Sequence, residues 1–377
     1  MFLSIPTRHR PGKVRVEGLI KLRVLIAGGG TGGHVFPGIA IAKEVRRRYP
    51  QAEIWFVGSQ RGIEKDIVPS HGFTLRTIQV SGLKGMQGLK LLKALWVIPF
   101  SVKESYRILR EFRPQVVIGV GGYSSGPPVL VATLMGIPTL LQEQNARPGI
   151  TNRLLSRLAN RIAVAFEECR VFFGEKATLT GNPVRAEFSK VNEQKSPDRF
   201  VLLIFGGSQG SHGINQAVVE ALDHLKLFSS SLSFIHQTGG KDLEWVSGAY
   251  HAAGVEGDVR PFFDDMPAQF ARSDLVICRS GAMTLAELTV AGKAAILVPF
   301  PLAADNHQQR NAEAMARVGA AEIILQPELS GKRLAERITF FLEHRQALRQ
   351  MEQKSREMGR PDAVERIVSL VEELIHV

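Results

Sequence analysis

The sequence lacks the features that mark secreted, metal-clustered and membrane-spanning proteins. Only two cysteines, Cys169 and Cys278, occur in 377 residues, which excludes a disulfide framework and indicates a reducing compartment. No apolar run reaches the roughly 18 residues of a transmembrane helix, so any membrane contact is expected to be peripheral. Residues 1–21 have no signal-peptide core, and we interpret them as a disordered extension or a misassigned start.

The composition allows two soluble domains with a preference for anionic partners. A content of 44% hydrophobic and 22% charged residues is typical of globular proteins, and the length suffices for two domains. The net charge of +11 favours nucleic acid, anionic lipid or a phosphorylated substrate as partner. A basic surface that binds no specific partner is the alternative explanation of this net charge.

Apolar runs alternate with segments of helical period along the whole chain. Such alternation predicts an α/β fold with parallel sheets and helices on both faces. The predicted strands are 24–27, 54–57, 116–120, 139–141, 162–165, 200–205, 232–236, 275–278 and 295–298.

A glycine-rich loop follows the first strand and is repeated later. Residues 28–33 contain five glycines, end at His34, and precede a helical pattern, which together form a phosphate-binding device. Residues 200–213 repeat the order of strand, glycine loop and helix. We therefore predict two Rossmann-like domains linked near 181–185 and 192–199, with an amphipathic helix at 362–375 that packs on either one.

Polar, glycine-rich segments also follow several other strands, at 121–126, 142–145, 238–240 and 279–281. Ligands of open parallel sheets bind beyond the carboxyl ends of the strands. Two sheets whose carboxyl ends face each other would enclose a cleft between the domains.

The first glycine loop formally matches a dinucleotide fingerprint through Gly28, Gly30 and Gly33. That fingerprint requires an acidic residue after the second strand, where this chain has Gly58 and Ser59. A nicotinamide-dependent enzyme is therefore disfavoured. The sequence also has no Asp-x-Asp pair to hold a cation on a diphosphate, so we expect no metal and no cofactor.

Six motifs in order resemble the MurG family of N-acetylglucosaminyltransferases over residues 22–375. They are Gly-Gly-Gly-Thr-Gly-Gly-His at 28–34, Gly-Gly-Tyr at 121–123, Glu-Gln-Asn at 143–145, Gly-Asn-Pro-Val-Arg at 181–185, Gly-Gly-Ser-Gln-Gly at 206–210, and Cys-Arg-Ser-Gly-Ala-Met-Thr-Leu-Ala-Glu at 278–287. The resemblance implies a GT-B fold with an acceptor domain at 22–185 and a donor domain at 186–361. It implies inverting transfer of GlcNAc from UDP-GlcNAc to the C4 hydroxyl of lipid I, forming lipid II, with no nucleic acid partner.

Two residues are candidates for the general base that an inverting transfer requires. His34 lies at a helix N-terminus, which disfavours the imidazolium and keeps the ring neutral. Glu143 follows a strand at its carboxyl end. A helix cap or phosphate contact is the structural alternative for His34, and a loop-ordering carboxylate is the alternative for Glu143, so the choice stays open.

By resemblance, the donor binds mainly to the second domain. Glu287 would accept the ribose hydroxyls, the backbone of Phe263 would read uracil, and Gln308 with Asn311 would touch the sugar. Arg185 would reach the phosphates or form an interdomain salt bridge. The remaining donor residues are Thr31, Gly32, Gly33, Asn145, Ser208, Gln209, Ala282, Met283, Thr284, Leu285 and Ala286, and those for the acceptor diphosphate are Gly30, Gly121, Gly122 and Tyr123.

Residues 83–113 combine apolar side chains with lysines and arginines. Leu92, Lys93, Trp96 and Phe100 suit an anionic membrane surface, although an ordinary helix packed on the sheet has the same pattern. Given the lipid-linked acceptor, the resemblance implies the cytoplasmic side of the inner membrane, with cell-wall synthesis proteins as possible partners.

Two other classes of function remain as alternatives. A UDP-GlcNAc 2-epimerase or another UDP-sugar enzyme of the GT-B fold would not need the cationic apolar surface. A nucleotide-sugar-binding regulator would not need His34, Glu143 and Glu287 together.

Overall fold

A computed structural model describes residues 21–80, 89–191, 194, 196 and 198–375, with the backbone alone for 89–95. The predicted extension before residue 21, part of the predicted link at 192–199, and the side chains of Leu92 and Lys93 lie outside the described residues.

The first half of the chain forms a parallel sheet of seven strands in the order β3-β2-β1-β4-β5-β6-β7. Its strands are β1 (Arg23–Ala27), β2 (Glu53–Ser59), β3 (Thr74–Ile78), β4 (Val116–Gly119), β5 (Thr139–Glu143), β6 (Arg161–Val164) and β7 (Ala177–Leu179). The connecting helices are α1 (Gly32–Arg48), α2 (Glu64–Ser70), α3 (Leu89–Phe112), α4 (Gly126–Leu134), α5 (Ile150–Leu155) and α6 (Arg170–Phe173).

The second half forms a parallel sheet of six strands in the order β10-β9-β8-β11-β12-β13. Its strands are β8 (Phe200–Phe205), β9 (Leu232–Gln237), β10 (Gly257–Arg260), β11 (Leu275–Cys278), β12 (Ala294–Leu297) and β13 (Glu322–Ile323). Its helices are α7 (His212–Leu225), α8 (Leu243–Ala253), α9 (Met266–Arg272), α10 (Ala282–Ala291), α11 (His307–Arg317), α12 (Gly331–Glu343) and α13 (Arg345–Met358).

All nine predicted strands are present, and the α/β class with parallel sheets is confirmed. Sequence patterns missed β3, β7, β10 and β13. Each of these lies at one edge of a sheet, and all are short or partly exposed, so they carry no continuous apolar run.

The C-terminal helix α14 (Ala363–Ile375) returns to the first sheet. Its Ile367, Val368 and Val371 are buried in one apolar core with residues of β1 and α1. The guanidinium of Arg48 on α1 lies 2.9 Å from the Glu372 carboxylate. The sequence left the partner of this helix open, and the packing places it on the first sheet.

None of the described helices is both long and apolar enough to cross a lipid bilayer. The parallel order has a direct consequence for function, since the loops after β1, β4 and β5 share one edge of the first sheet. The loops after β8, β9 and β11 share the corresponding edge of the second.

Candidate active site

The N-terminus of α1 is a ready site for an anion. Thr31 precedes the helix without a side-chain cap, and the first turn, which contains Gly32 and Gly33, has no acidic residue. The first N–H groups of a helix have no partner within it and carry its positive dipole end. Thr31, Gly32 and Gly33 therefore occupy the place that the sequence predicted for contacts to a phosphorylated ligand.

His34 lies in the first turn of α1 and packs against the loop after β4. A Cβ on Gly121 would lie 2.8 Å from His34 Nδ1, and one on Gly122 would lie 3.3 Å from Cδ2 of the same ring. Both glycines have positive φ angles of 92° and 79°, so a side chain there would also strain the backbone. Gly121 and Gly122 thus make room for the imidazole, and exposed Tyr123 follows them at the same edge.

Burial is the main influence on His34 and lowers its pKa below the ordinary value. The direction is the one that the sequence predicted from the helix N-terminus, but its cause here is desolvation by burial.

Glu143, the other candidate base, has both carboxylate oxygens engaged. Oε1 accepts hydrogen bonds from the backbone N–H of Asn145 at 3.0 Å and from its side chain at 3.2 Å. Oε2 accepts from the Gly149 N–H at 3.0 Å and from Asn152 Nδ2 at 2.9 Å. Burial raises the pKa of Glu143, and these hydrogen bonds oppose the rise. The geometry is that of the loop-ordering alternative.

Gly30 does not offer its N–H group to a ligand, because that group donates to Glu64 Oε2 at 2.8 Å. The contact of Gly30 with an acceptor diphosphate stays a prediction, and this N–H already has a partner within the chain. Glu64 also accepts from the backbone and hydroxyl of Ser59, at 2.7 and 2.8 Å, and is 1% exposed. The carboxylate of Glu64 fills the first glycine loop.

The sequence did not identify Glu64, since a single acid 34 residues away resembles any surface carboxylate. The available signal was glycine at Gly29, Gly58 and Gly62. A Cβ on each of these would lie within 2.5 Å of the Glu64 side chain, so only glycine leaves room for it.

In the second domain, α10 repeats the uncapped N-terminus. Gly281 precedes the helix without a side-chain cap, no acid lies in its first turn, and Ala282, Met283 and Thr284 are partly exposed. Leu285 is different, because its side chain is 1% exposed in the core and its N–H donates to Gly281. A contact between Leu285 and the donor therefore stays a prediction.

Glu287 lies in the second turn of α10, one residue after the partly exposed Ala286. Its Oε1 atom is 3.4 Å from Arg185 Nη2. Burial raises the pKa of Glu287 to about 7, with the nearby Arg185 charge acting in the opposite direction. Arg185 thus forms the salt bridge that was its structural alternative, and its side chain is half exposed.

The second glycine loop carries Ser208 and Gln209, both exposed. Gln237 at the end of β9 supports this loop by donating to the Gly207 carbonyl at 2.9 Å. Its Oε1 accepts the N–H of Phe263 at 2.9 Å. The Phe263 N–H therefore has a partner within the chain, the Phe263 ring is buried in the core, and the backbone contact to uracil stays a prediction.

Asn311 joins the two domains. Its Oδ1 accepts the Ala146 N–H at 2.8 Å, and its Nδ2 donates to Asn145 Oδ1 at 3.2 Å and to the Ser280 carbonyl at 3.3 Å. All its polar atoms have partners within the chain and it is fully buried, so its sugar contact stays a prediction. Its partly exposed neighbour Gln308 accepts the Phe300 N–H at 3.0 Å.

A second bridge was missed by the sequence analysis although it lies in a quoted motif. Asn182 Nδ2 donates to the Gln144 carbonyl at 2.9 Å and to the Ala282 carbonyl at 3.4 Å. Together with Asn311, it connects the loop after β5 to the start of α10. The carboxyl edges of the two sheets therefore face each other, and His34, Glu287 and both free helix N-termini border the space between them.

Comparison with known proteins identifies this arrangement. Residues 24–164 match the glycosyltransferase family 28 N-terminal domain, and residues 201–367 match its C-terminal domain. The solved MurG of Acinetobacter baumannii is 31% identical, with a TM-score of 0.80 over 93% of this chain and 99% of that one. The chain belongs to the MurG family. Its fold is accordingly GT-B, with two Rossmann-like domains.

Curated relatives in the MurG family are closer in sequence. The UDP-N-acetylglucosamine–N-acetylmuramyl-(pentapeptide) pyrophosphoryl-undecaprenol N-acetylglucosamine transferase of Myxococcus xanthus is 49% identical over 94% of this chain and 93% of its own. The protein of the same name from Syntrophus aciditrophicus is 47% identical over 92% and 97%. UDP-GlcNAc 2-epimerase from Neisseria meningitidis has a TM-score of 0.66 at 14% identity, which shows a common fold alone.

The filled first loop makes a prediction about stability. Burial opposes the charge of Glu64, but the hydrogen bonds from Gly30 and Ser59 outweigh it and lower its pKa. Glu64→Gln should cost about 1–3 kcal/mol of unfolding free energy at pH 7, measured by urea denaturation. Because the pKa of Glu64 is lower in the folded protein than in the unfolded chain, the extra stability of the wild type should be lost as the pH falls through that folded-state pKa.

Asp66→Asn on the exposed side of the same helix is the matched control and should change stability by less than about 0.5 kcal/mol. Equal stability of wild type and Glu64→Gln at pH 7 would contradict the assigned role.

Proposed function

We propose that this chain transfers GlcNAc from UDP-GlcNAc to the C4 hydroxyl of lipid I, the undecaprenyl-diphosphate-linked MurNAc-pentapeptide, with inversion to the β-linked lipid II. Its relatives at 46–49% identity over at least 92% of the chain carry the name of this activity. The observation that carries the proposal is His34, whose pKa burial lowers, at the carboxyl edge of the first sheet, where Asn182 links the loop after β5 to the start of α10.

The donor diphosphate binds at the N-terminus of α10 and at the loop with Ser208 and Gln209. Unpaired N–H groups and the helix dipole stabilise its charge, and Arg185 contributes a cation from the side. Glu287 accepts the two ribose hydroxyls. These groups neutralise the departing UDP without a metal ion, so transfer should persist in a chelator.

His34 acts as the base in a single in-line displacement. Its Nε2 atom takes the proton of the acceptor hydroxyl while the hydroxyl oxygen bonds to the anomeric carbon and the bond to UDP breaks. Glu143 is not assigned this role, because a proton on it would disrupt hydrogen bonds that order residues 145–152. The proton-accepting group and the leaving-group site thus lie on opposite domains.

A membrane-facing surface is part of the proposal. Trp96, Ile98 and Phe100 on α3 are 74%, 40% and 56% exposed. They lie in the first half of α3, near the carboxyl edge of the sheet, where the interdomain space opens. Helix α5 begins at the same edge and carries the exposed residues Arg153 and Leu154. Such a basic apolar surface suits the cytoplasmic face of the inner membrane, where a polyprenyl acceptor is held.

The reaction is tested with labelled UDP-GlcNAc and a short-chain lipid I analogue in the presence of EDTA. We expect transfer, and we expect His34→Ala to lower kcat by about 10²- to 10⁴-fold with little change in the donor KM. His251→Ala, an exposed histidine on α8, is the control. Absence of transfer, loss on chelation, or a near-normal kcat for His34→Ala would each contradict a stated part of the proposal.

Donor binding should depend on the ionisation of Glu287. Only the carboxylate accepts both ribose hydroxyls, and its pKa of about 7 means that it is mostly protonated in the free enzyme at lower pH. Calorimetric affinity for UDP-GlcNAc should therefore rise as pH increases from about 6 to 8, approaching tenfold per unit below the pKa.

Glu287→Gln should bind more weakly at pH 8 and show a nearly flat profile over the same range. A profile for this variant parallel to that of the wild type would assign the pH dependence to another group.

The membrane surface is tested by flotation with anionic phospholipid vesicles. Trp96→Ala combined with Phe100→Ala should weaken vesicle binding by about tenfold or more, since each removes a large apolar side chain from the interface. Affinity for UDP-GlcNAc should not change. Leu227→Ala with Trp245→Ala, exposed apolar residues of the second domain, is the matched control. Equal loss in both double variants would refute the assignment of the surface to α3.

A further inference from the structure

Two buried polar atoms, one in the ring of the proposed base and one on a neighbouring side chain, have no hydrogen-bond partner among the described residues. They are His34 Nδ1 and Gln144 Oε1. Both lie near one point, since a Cβ on Gly121 would be 2.8 Å from the first and 3.5 Å from the second. An unpaired buried polar atom is costly, and a donor next to an acceptor removes the cost for both.

The orientation of the Gln144 amide is determined by its other contacts. Nε2 donates to the Val120 carbonyl at 2.7 Å and also to Gln142 Oε1. Both partners are acceptors, so the amide nitrogen must lie on their side and Oε1 on the other. The oxygen near His34 can accept a hydrogen bond and cannot donate one.

Gln142 and Asn182 hold this amide in place. Gln142 Nε2 donates to Asn182 Oδ1 at 2.9 Å, and Asn182 Nδ2 donates to the Gln144 carbonyl at 2.9 Å. All three side chains are at most 4% exposed. The result is a closed set of amides whose one unused acceptor is Gln144 Oε1.

We infer that Gln144 is a positioning residue for His34: its Oε1 accepts a hydrogen bond from Nδ1–H and so selects the tautomer whose Nε2 carries the lone pair. The inference rests on the proposed role of His34 as the base. The ring nitrogen that faces an acceptor carries the proton, and the other nitrogen is then the basic one. When Nε2 gains a proton during transfer, Nδ1–H keeps the same partner.

A neutral amide suits this position better than a carboxylate. Burial lowers the pKa of His34, and the polar groups of Gln144 and of the Val120 backbone beside the ring partly oppose it. The charged or titratable groups that face the ring are Glu64 from α2, which raises the pKa, and His307 from α11, which lowers it. A carboxylate at position 144 would add a negative charge directly at Nδ1 and move the pKa upward.

The tautomer is measured by NMR on protein with ¹⁵N-labelled histidine, and His34→Asn identifies the His34 signals by their loss. The wild type at neutral pH should show His34 protonated on Nδ1. Gln144→Met should shift the ring to a mixture of tautomers or to Nε2–H, while Gln144→Glu should keep Nδ1–H. Unchanged His34 shifts in Gln144→Met would overturn the inference.

Kinetics distinguish positioning from a structural role. Gln144→Met should lower kcat by about tenfold with the donor KM within about twofold, since it removes a fraction of the general-base contribution. Gln144→Glu should restore much of kcat and move the acidic limb of the kcat/KM profile to higher pH. Gln115→Met, which removes a glutamine that accepts the Arg23 N–H at 2.6 Å on the opposite sheet edge, is the matched control.

The two proposals fail in different ways. A tautomer change in Gln144→Met with normal kcat in both Gln144→Met and His34→Ala supports the positioning contact and refutes His34 as the base. A large loss in His34→Ala, with unchanged tautomer and pH profile in the Gln144 variants, refutes the positioning role and supports the base.

Discussion

The buried carboxylate of Glu143 and the loop it orders are the interaction on which the rest of this site depends. An ionised carboxylate removed from water is tolerated only when donors surround it, and here the backbone of Asn145 and Gly149 and the side chains of Asn145 and Asn152 supply them. The ordered loop carries Gln144 toward His34, and it presents Asn145 and Ala146 to Asn311 of the second domain. One buried carboxyl group thereby connects His34 to the domain junction.

The two glycine loops are similar in sequence and differ in their occupants. The first accepts the chain's own carboxylate, because Glu64 takes the N–H of Gly30 and excludes an anion from that part of the loop. The second loop has no such carboxylate among its described contacts. The side chain of Gln237 supports it by donating a hydrogen bond to the Gly207 carbonyl. The two similar sequences therefore form loops with different contents.

Most of the fold could be predicted because central parallel strands are buried on both faces and appear as continuous apolar runs, as in 200–205. Edge strands such as β3, with the sequence Thr-Leu-Arg-Thr-Ile, have mixed exposure and were missed. For the site, family motifs led to His34, Glu143 and Glu287 as candidates, but not to Glu64, which fills the first glycine loop. The hydrogen bonds of Asn311 across the domains and the burial of Leu285 could not be predicted, because neither is visible in a local pattern.

The sequence by itself determined two strand–loop–helix units and the order of polar segments at their carboxyl ends, since both follow from local periodicity and glycine spacing. Only the tertiary structure decided that the Glu64 carboxylate fills the first glycine loop and that Asn145 and Asn311 pair across the domains. Those outcomes depend on partners far apart in the chain, 34 residues for Gly30 and Glu64 and 166 for Asn145 and Asn311. Desolvation and hydrogen bonding at such distances arise only when both sheets have packed.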